Sequence, residues 1–220
     1  DVCSSDLLIL ATSGMGLVQA AYSSGRPAIG VGPGNVPVYI HRSADVRSAV
    51  NDVLLSKTFD NGTICASEQA LVVDQAVEEA VVEQLVAQGA YFLSPEEIAK
   101  VQDVVIDPAR RSMSAQVVGQ SPRRIGELAA VRVPPRTRVL VARLAGVGDD
   151  FPLSREKLCP LLGFYTVRTL EEGVNLCTDL MHFGGLGHTA VIFSQDPAVV
   201  REFGETINAG RILVNSPSSY

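Results

Sequence analysis

Short apolar runs alternate with segments of helical spacing along almost the whole chain, and nothing else in the sequence restricts the fold as much. "QALVVD", "TRVLVARL", "FYTVRT", "GGLGHTAVIFS" and "RILVNS" read as strands, rich in β-branched residues and bounded by turn formers. Between them "VRSAVNDVLLSKTF", "AVEEAVVEQLVAQ", "LEEGVNLCTDLMHF" and "DPAVVREFGETINA" place apolar residues on one helical face, such as Val46, Val50, Val53 and Leu54. Strands this apolar need cover on both faces, and helices between parallel strands supply it. The expected fold class is α/β throughout, with no internal repeat and no low-complexity linker.

The helix ends are marked. Ser43 or Asp45 caps the first of those helices, and Asn61-Gly62 stops it. Asp74 caps the next, which Gly89 ends. "SPEE" at 94–97 is a capping box with proline in the first turn, and "SPRRIGELA" is a shorter helix. Near the start, Leu7 to Leu10 reads as a strand covered on both faces. "ATSGMG" and the helical "LVQAAYSSG" follow it, which makes half of a βαβ unit. "RPAIGVGPGNVPVYI" alternates Gly and Pro with apolar residues and suits a crossing between domains.

At 220 residues the chain makes one large domain or two small ones, and 46% hydrophobic residues suffice for a core. A net charge of −6 with no basic stripe excludes nucleic acid and anionic membrane as expected partners. No apolar run approaches the ~18 residues of a membrane span, and the first residues lack a signal-peptide pattern. Cys3, Cys65, Cys159 and Cys177 are widely spaced, with no CxxC and no Cys/His cluster. No disulfide framework or metal site is expected, and a reducing cytoplasm fits. "DVCSSDL" reads like translated sequencing-adapter text, so residues 1–6 are taken as non-native and Cys3 as without meaning. Both ends look cut.

Cys65 is the residue whose surroundings ask for chemistry. In "KTFDNGTICASEQA" it follows a helix stop, precedes a strand and has small polar neighbours in Thr63 and Ser67. Most cysteines are inert and buried; this one is placed as a nucleophile would be, with backbone N–H groups at hand for an oxyanion. "TSGMG" at 12–16 opens a helix after a strand and offers a dinucleotide-type turn, though not a full GxGxxG. "GVGPGNVP" at 30–37 serves either a tight crossover or close approach to a ligand. Glu156 in "EKLCP" is either a solvated surface acid or a carboxylate for hydroxyl groups. His188 in "GGLGHTA" is either structural or an acid/base group.

Together "ATSGMGLVQAAYSSGRPAIGVGPGNVPVYI", "SKTFDNGTICASEQALVVD", "REKLCPLLGFY", "GGLGHTAVIF" and "AGRILVNSPSS" resemble the coenzyme A-acylating aldehyde dehydrogenases. The resemblance is to the aldehyde dehydrogenase half of bifunctional aldehyde-alcohol dehydrogenases. It runs from about Leu7 to the C-terminus and is least distinctive between about 90 and 150.

The resemblance implies an aldehyde dehydrogenase-like fold, truncated. Residues 1–34 would be the end of a Rossmann-type NAD-binding domain, and residues 35–220 a three-layer α/β catalytic domain. It implies Cys65 as nucleophile, forming a thiohemiacetal and then a thioester, with NAD taking hydride and coenzyme A taking the acyl group. Ser13, Gly14, Gly16 and Gly32 fall on the cofactor loops, and Glu156 on the residue that holds ribose hydroxyls. His188 falls on a group for proton transfer or for the coenzyme A side. Asn215 and Ser216 match a strand end near the substrate pocket, and Cys159 replaces a usual small residue.

Val31 stands where hydrolytic relatives carry a water-activating glutamate, so a thiol acceptor is favoured over water. The implied partners are an aldehyde, an acyl-CoA and further copies of the full-length chain in a homo-oligomer. Acetaldehyde and acetyl-CoA are the default pair, and the fragment is expected to be inactive alone. Two alternatives stay open: a non-acylating member of the superfamily, and a non-catalytic assembly element of a filament-forming bifunctional enzyme.

Overall fold

A computed structural model describes residues 8–12, 14–109 and 112–219. The chain divides into two compact units, Asp1–Pro33 and Gly34–Tyr220.

The first unit is one βαβ element: β1 (Ile9–Thr12), α1 (Met15–Ser23) and β2 (Ala28–Val31). The two strands pair in parallel, Ile9 opposite Ala28 and Thr12 opposite Val31. Ala11, Val18 and Ala21 form the buried side, and the Tyr22 hydroxyl accepts the Gly30 N–H at 2.9 Å. The strand expected over 7–10 lies two residues later, and Leu10 is 72% exposed rather than covered on both faces. The sheet here has two strands, and α1 covers one face of it. Ser13 and residues 1–7, with Cys3, lie outside the described residues.

The second unit holds β3 (Val36–Ile40), α2 (Val46–Thr58), β4 (Glu68–Asp74), α3 (Glu78–Ala87), β5 (Ala90–Phe92) and α4 (Pro95–Val105). The short antiparallel pair β6 (Ile106–Asp107) and β7 (Ser112–Met113) follows. Then come α5 (Pro122–Leu128), β8 (Val139–Arg143), β9 (Leu161–Val167), α6 (Leu170–Gly184), β10 (Gly187–Phe193), α7 (Pro197–Thr206) and β11 (Ala209–Val214). Among the described residues the main sheet has seven strands in the order β11-β10-β3-β4-β9-β8-β5. Every pairing in it is parallel.

The pleat divides the core. Leu71 and Val73 of β4 join Val50, Val53 and Leu54 of α2 and Val81 and Leu85 of α3 on one face. Ala70 and Val72 of the same strand join Val174, Cys177 and Leu180 of α6 and Phe203 of α7 on the other. Helices therefore sandwich the sheet, and Leu140 and Ala142 of β8 extend the core beneath α4 and α5. Two of the expected caps form on their α-helices, whereas Asp74 caps the 3-10 turn Gln75–Val77 that leads into α3, accepting the Ala76 N–H at 3.0 Å. Asp45 accepts the Ser48 N–H at 3.1 Å. Ser94 and Glu97 close a reciprocal capping box on α4, worth about 1 kcal/mol.

The Gly/Pro-rich segment 26–40 holds the division between the two units, as a crossing would, and it also contains two strands. Pro37 disguises β3, because proline removes a ladder donor and is unusual in a central strand. The register shifts between Val36 and Pro37 where β3 meets β4, and that irregularity absorbs the ring. No helix among the described residues is long and apolar enough to cross a membrane.

Candidate active site

Cys65 sits in the turn that enters β4, and it is exposed. The local sequence builds that turn from an unusual backbone. Asp60 and Asn61 adopt left-handed φ values of 46° and 50°, and Gly62 follows at 74°. Asp and Asn tolerate this region better than other side chains, and Gly62 packs against backbone. A Cβ at Gly62 would lie 2.9 Å from the Cys159 carbonyl oxygen. The Thr63 N–H donates to Asp60 O at 3.3 Å and the Ser67 N–H to Ile64 O at 2.9 Å. The N–H groups of Cys65 and Ala66 have no protein acceptor among the described residues.

A parallel sheet gathers the amino ends of its strands on one side, and Cys65, Glu156 and His188 lie on that side. Val36 of β3 lies opposite Glu68 of β4, three residues after Cys65. Just before β3, the Gly34 N–H donates to Glu156 Oε1 at 3.3 Å. Burial pushes the Glu156 carboxyl up, against the opposing pull of the Gly34 N–H and of Lys57 and Lys157. Its carboxylate accepts one backbone donor and keeps capacity for others. His188, the second residue of β10, packs against Gly34, where a Cβ would come within 2.7 Å of its ring. Its Nδ1 pairs with Thr189 Oγ1 at 3.0 Å. Burial, and next Arg211, hold the His188 pKa below the usual imidazole value. Asn35 is buried, its amide donating to Ser154 O at 2.8 Å and Leu180 O at 2.6 Å.

The other expected residues fall elsewhere. Gly14 caps α1 without a side-chain hydrogen bond, Gly16 is exposed in its first turn, and Gly32 follows β2, all in the first unit. Asn215 turns the chain with φ 47°, and its side chain brackets the Ser194 backbone. That point is at the carboxyl end of β10, away from His188. Residues 216–219 then double back to the Cys65 turn. There the Ser218 N–H donates to Glu68 Oε1 at 2.9 Å and Ser218 Oγ bonds to Ala66 O. Cys159 is fully buried, as a packing residue would be.

Sequence reasoning missed two buried lysines. Lys57 and Lys157 are both fully inaccessible. Lys57 Nζ donates to Gln69 Oε1 at 3.2 Å and to Lys157 O at 2.9 Å. Gln69 Oε1 also accepts the Lys157 N–H at 2.8 Å. Lys157 Nζ donates to Leu153 O and Arg155 O, each at 2.7 Å. Burial lowers both ammonium groups, Lys57 to about 8 and Lys157 to about 7. One signal was present for Lys57: helical spacing puts it on the same face as Val50, Val53 and Leu54. Nothing local marked Lys157.

Comparison with known proteins places the chain in a family. The family model "Aldehyde dehydrogenase family" matches residues 12–220. The bifunctional aldehyde-alcohol dehydrogenase AdhE of Escherichia coli is 46% identical over 215 residues, covering 96% of this chain and 24% of that protein. Among solved structures, an acetylating aldehyde dehydrogenase from Geobacillus thermoglucosidasius superposes with TM-score 0.93 at 50% identity, over 96% of this chain and 46% of that one. A propionaldehyde dehydrogenase from Rhodopseudomonas palustris, solved with bound CoA and an acylated cysteine, gives TM-score 0.86 at 25% identity, over 96% and 47%. The chain thus spans about a quarter of the curated relative and about half of each solved one. With the family model matched over residues 12–220, and with 96% of this chain aligned to each of these relatives, one assignment follows: the chain belongs to the aldehyde dehydrogenase family.

Proposed function

We propose that the protein carrying this chain is a coenzyme A-acylating aldehyde dehydrogenase that interconverts an aldehyde, CoA and NAD+ with acyl-CoA and NADH. The observation that carries this reading is the exposed Cys65 in its strained turn before β4, with Glu156 and His188 both meeting Gly34 just before the neighbouring strand β3. The Cys65 thiolate adds to the aldehyde carbonyl carbon and makes the alkoxide of a thiohemiacetal. Loss of hydride from that carbon leaves a thioester on the sulfur. The CoA thiol then gives its proton to a base or to water and attacks the thioester carbon, and Cys65 departs as thiolate. NAD, when bound, takes up the hydride or returns it in the reverse direction.

The residues present fit such a cofactor. Glu156 is a part-buried carboxylate with spare acceptor capacity, suited to ribose hydroxyls. In the first unit, Ser13, Gly14, Gly16 and Gly32 are proposed for the cofactor loops. His188 is neutral near pH ~7 because burial lowers its pKa, and with Nδ1 engaged by Thr189 it offers Nε2 to a proton. Valine at position 31 supplies no base for water, which supports CoA as the acceptor.

Residues 1–34 are proposed as part of the cofactor domain and 35–220 as catalytic domain. Acetaldehyde and acetyl-CoA are the proposed pair, the cytoplasm the proposed compartment, and a homo-oligomer the proposed assembly. The 220-residue chain by itself is proposed to turn over little or not at all. The test is product analysis on the full-length protein, with and without CoA, for wild type and Cys65→Ser. Acyl-CoA formed only with CoA and only with Cys65 supports the reading. Free acid as the main product, or undiminished turnover in Cys65→Ser, overturns it.

A further inference from the structure

A buried lysine is an expensive way to fill space, since methionine or leucine would pack as well without desolvating an ammonium. Two of them within one small region are better explained by the donors they bring. Lys57 Nζ reaches two acceptors on two different segments, the Gln69 side chain on β4 and the carbonyl of residue 157. Gln69 Oε1 takes the N–H of residue 157 as well, so both backbone groups of that residue are held by side chains. The Gln69 amide donates back to Ser67 O at 3.2 Å, inside the Cys65 turn. From the other side, the Lys157 side chain ties up the carbonyls of Leu153 and Arg155. The turn that carries Cys65 and the segment that carries Glu156 are therefore fastened through one amide oxygen. A neutral Lys57 amine keeps two N–H groups and so can keep both bonds.

We propose, on the acylating reading above, that Gln69 is a positioning residue, clasped between Lys57 and Lys157, that sets the placement of the Glu156 segment relative to the Cys65 turn. Hydride passes between a carbon attached to the Cys65 sulfur and a cofactor whose ribose Glu156 holds, so its rate depends on that placement. Acyl transfer from CoA to Cys65 does not involve Glu156 and is insensitive to it. The clasp thus acts on one half of the reaction and spares the other.

The experiment uses the full-length protein and separates the halves. Acylation is followed by intact mass after mixing with acyl-CoA in the absence of NADH. Hydride transfer is followed by NADH oxidation with protiated and deuterated cofactor. Gln69→Leu keeps the volume and removes the acceptor, together with the donor to Ser67 O, which Lys57→Met leaves in place. It is expected to slow hydride transfer by about 10- to 100-fold, as an ångström-scale misplacement does. It should also raise the KM for NADH and unmask a primary isotope effect, while Cys65 acylation stays within about twofold of wild type. Gln69→Glu keeps the acceptor and restores hydride transfer. Should Gln69→Leu fail to fold, Lys57→Met gives the same comparison. Equal losses in acylation and hydride transfer, or no loss in either, overturn the proposal. Wild type that forms no acyl adduct on Cys65 overturns instead the acylating reading beneath it.

Discussion

Replacing Lys157 by methionine should flatten the dependence of stability on pH between about 7 and 9. The ammonium of Lys157 is fully buried, and desolvation, followed by repulsion from Lys57, lowers its pKa from 10.5 to about 7. The unfolded chain keeps the ordinary value. Over this window the unfolded state binds a proton that the folded state has released, so stability rises with pH. Integrating the proton difference from about pH 7 to about pH 9 gives a gain of about 2 kcal/mol from Lys157 and about 1 kcal/mol from Lys57. Two groups run the other way at higher pH. Burial pushes the Cys159 thiol up to about 11 and the Cys177 thiol higher still, so their contribution is lost as pH climbs past the usual thiol value. His41 and His188, both lowered chiefly by burial, add to the rise in the same direction as pH passes the usual imidazole value, below most of the window. Methionine also orphans the carbonyls of Leu153 and Arg155, at a cost that does not vary with pH. The slope is therefore the observable. Urea unfolding of wild type and Lys157→Met, followed by far-UV circular dichroism at three pH values across the window, should show the variant losing about 2 kcal/mol of alkaline gain. A wild type whose stability is flat or falling there, or a variant with an unchanged slope, refutes the argument.

Iodoacetamide should alkylate Cys65 well before Cys159 and Cys177, both of which are 0% exposed; peptide mass spectrometry of a time course reads the order. Gly62→Ala should destabilise the chain by about 2 kcal/mol or more, because φ is 74° and the nearest atoms to a new Cβ are backbone; a thermal melt measures it. Glu68→Ala should loosen residues 216–219 from the Cys65 turn and speed their amide hydrogen exchange, read by mass spectrometry, whereas Glu68→Gln, which keeps an acceptor for the Ser218 N–H, should not.

The fold was readable where the signal is local. The alternation of strand and helix, the Asp45 cap, the Ser94/Glu97 box and the β4 run all lie within a few residues of sequence. What escaped was set by distance or disguise. Pro37 hid a central strand because its cost is absorbed by a bulge that only the partner strand reveals. Β5 spans three edge residues, too few for any period to show. At the site, the polar turn around Cys65 was conspicuous from its neighbours alone. Lys157 was not, since its acceptors become visible only once the chain is folded, and a lysine among polar residues reads as solvated. Likewise, Asn215 and Ser216 stood out in the sequence, but Ser218 is the residue that returns to Glu68.

The bonds that finish the region around Cys65 join residues far apart in sequence: 88 positions for Gln69 to Lys157, 122 for Gly34 to Glu156 and 150 for Glu68 to Ser218. Each closes a large loop, whose entropic cost must be met before the contact rewards it. The surroundings of the thiol are consequently a late product of folding, completed only when both flanks of the sheet are in place. A chain caught earlier exposes a cysteine without its scaffold, and the order of assembly itself delays any organised chemistry until the native topology has closed.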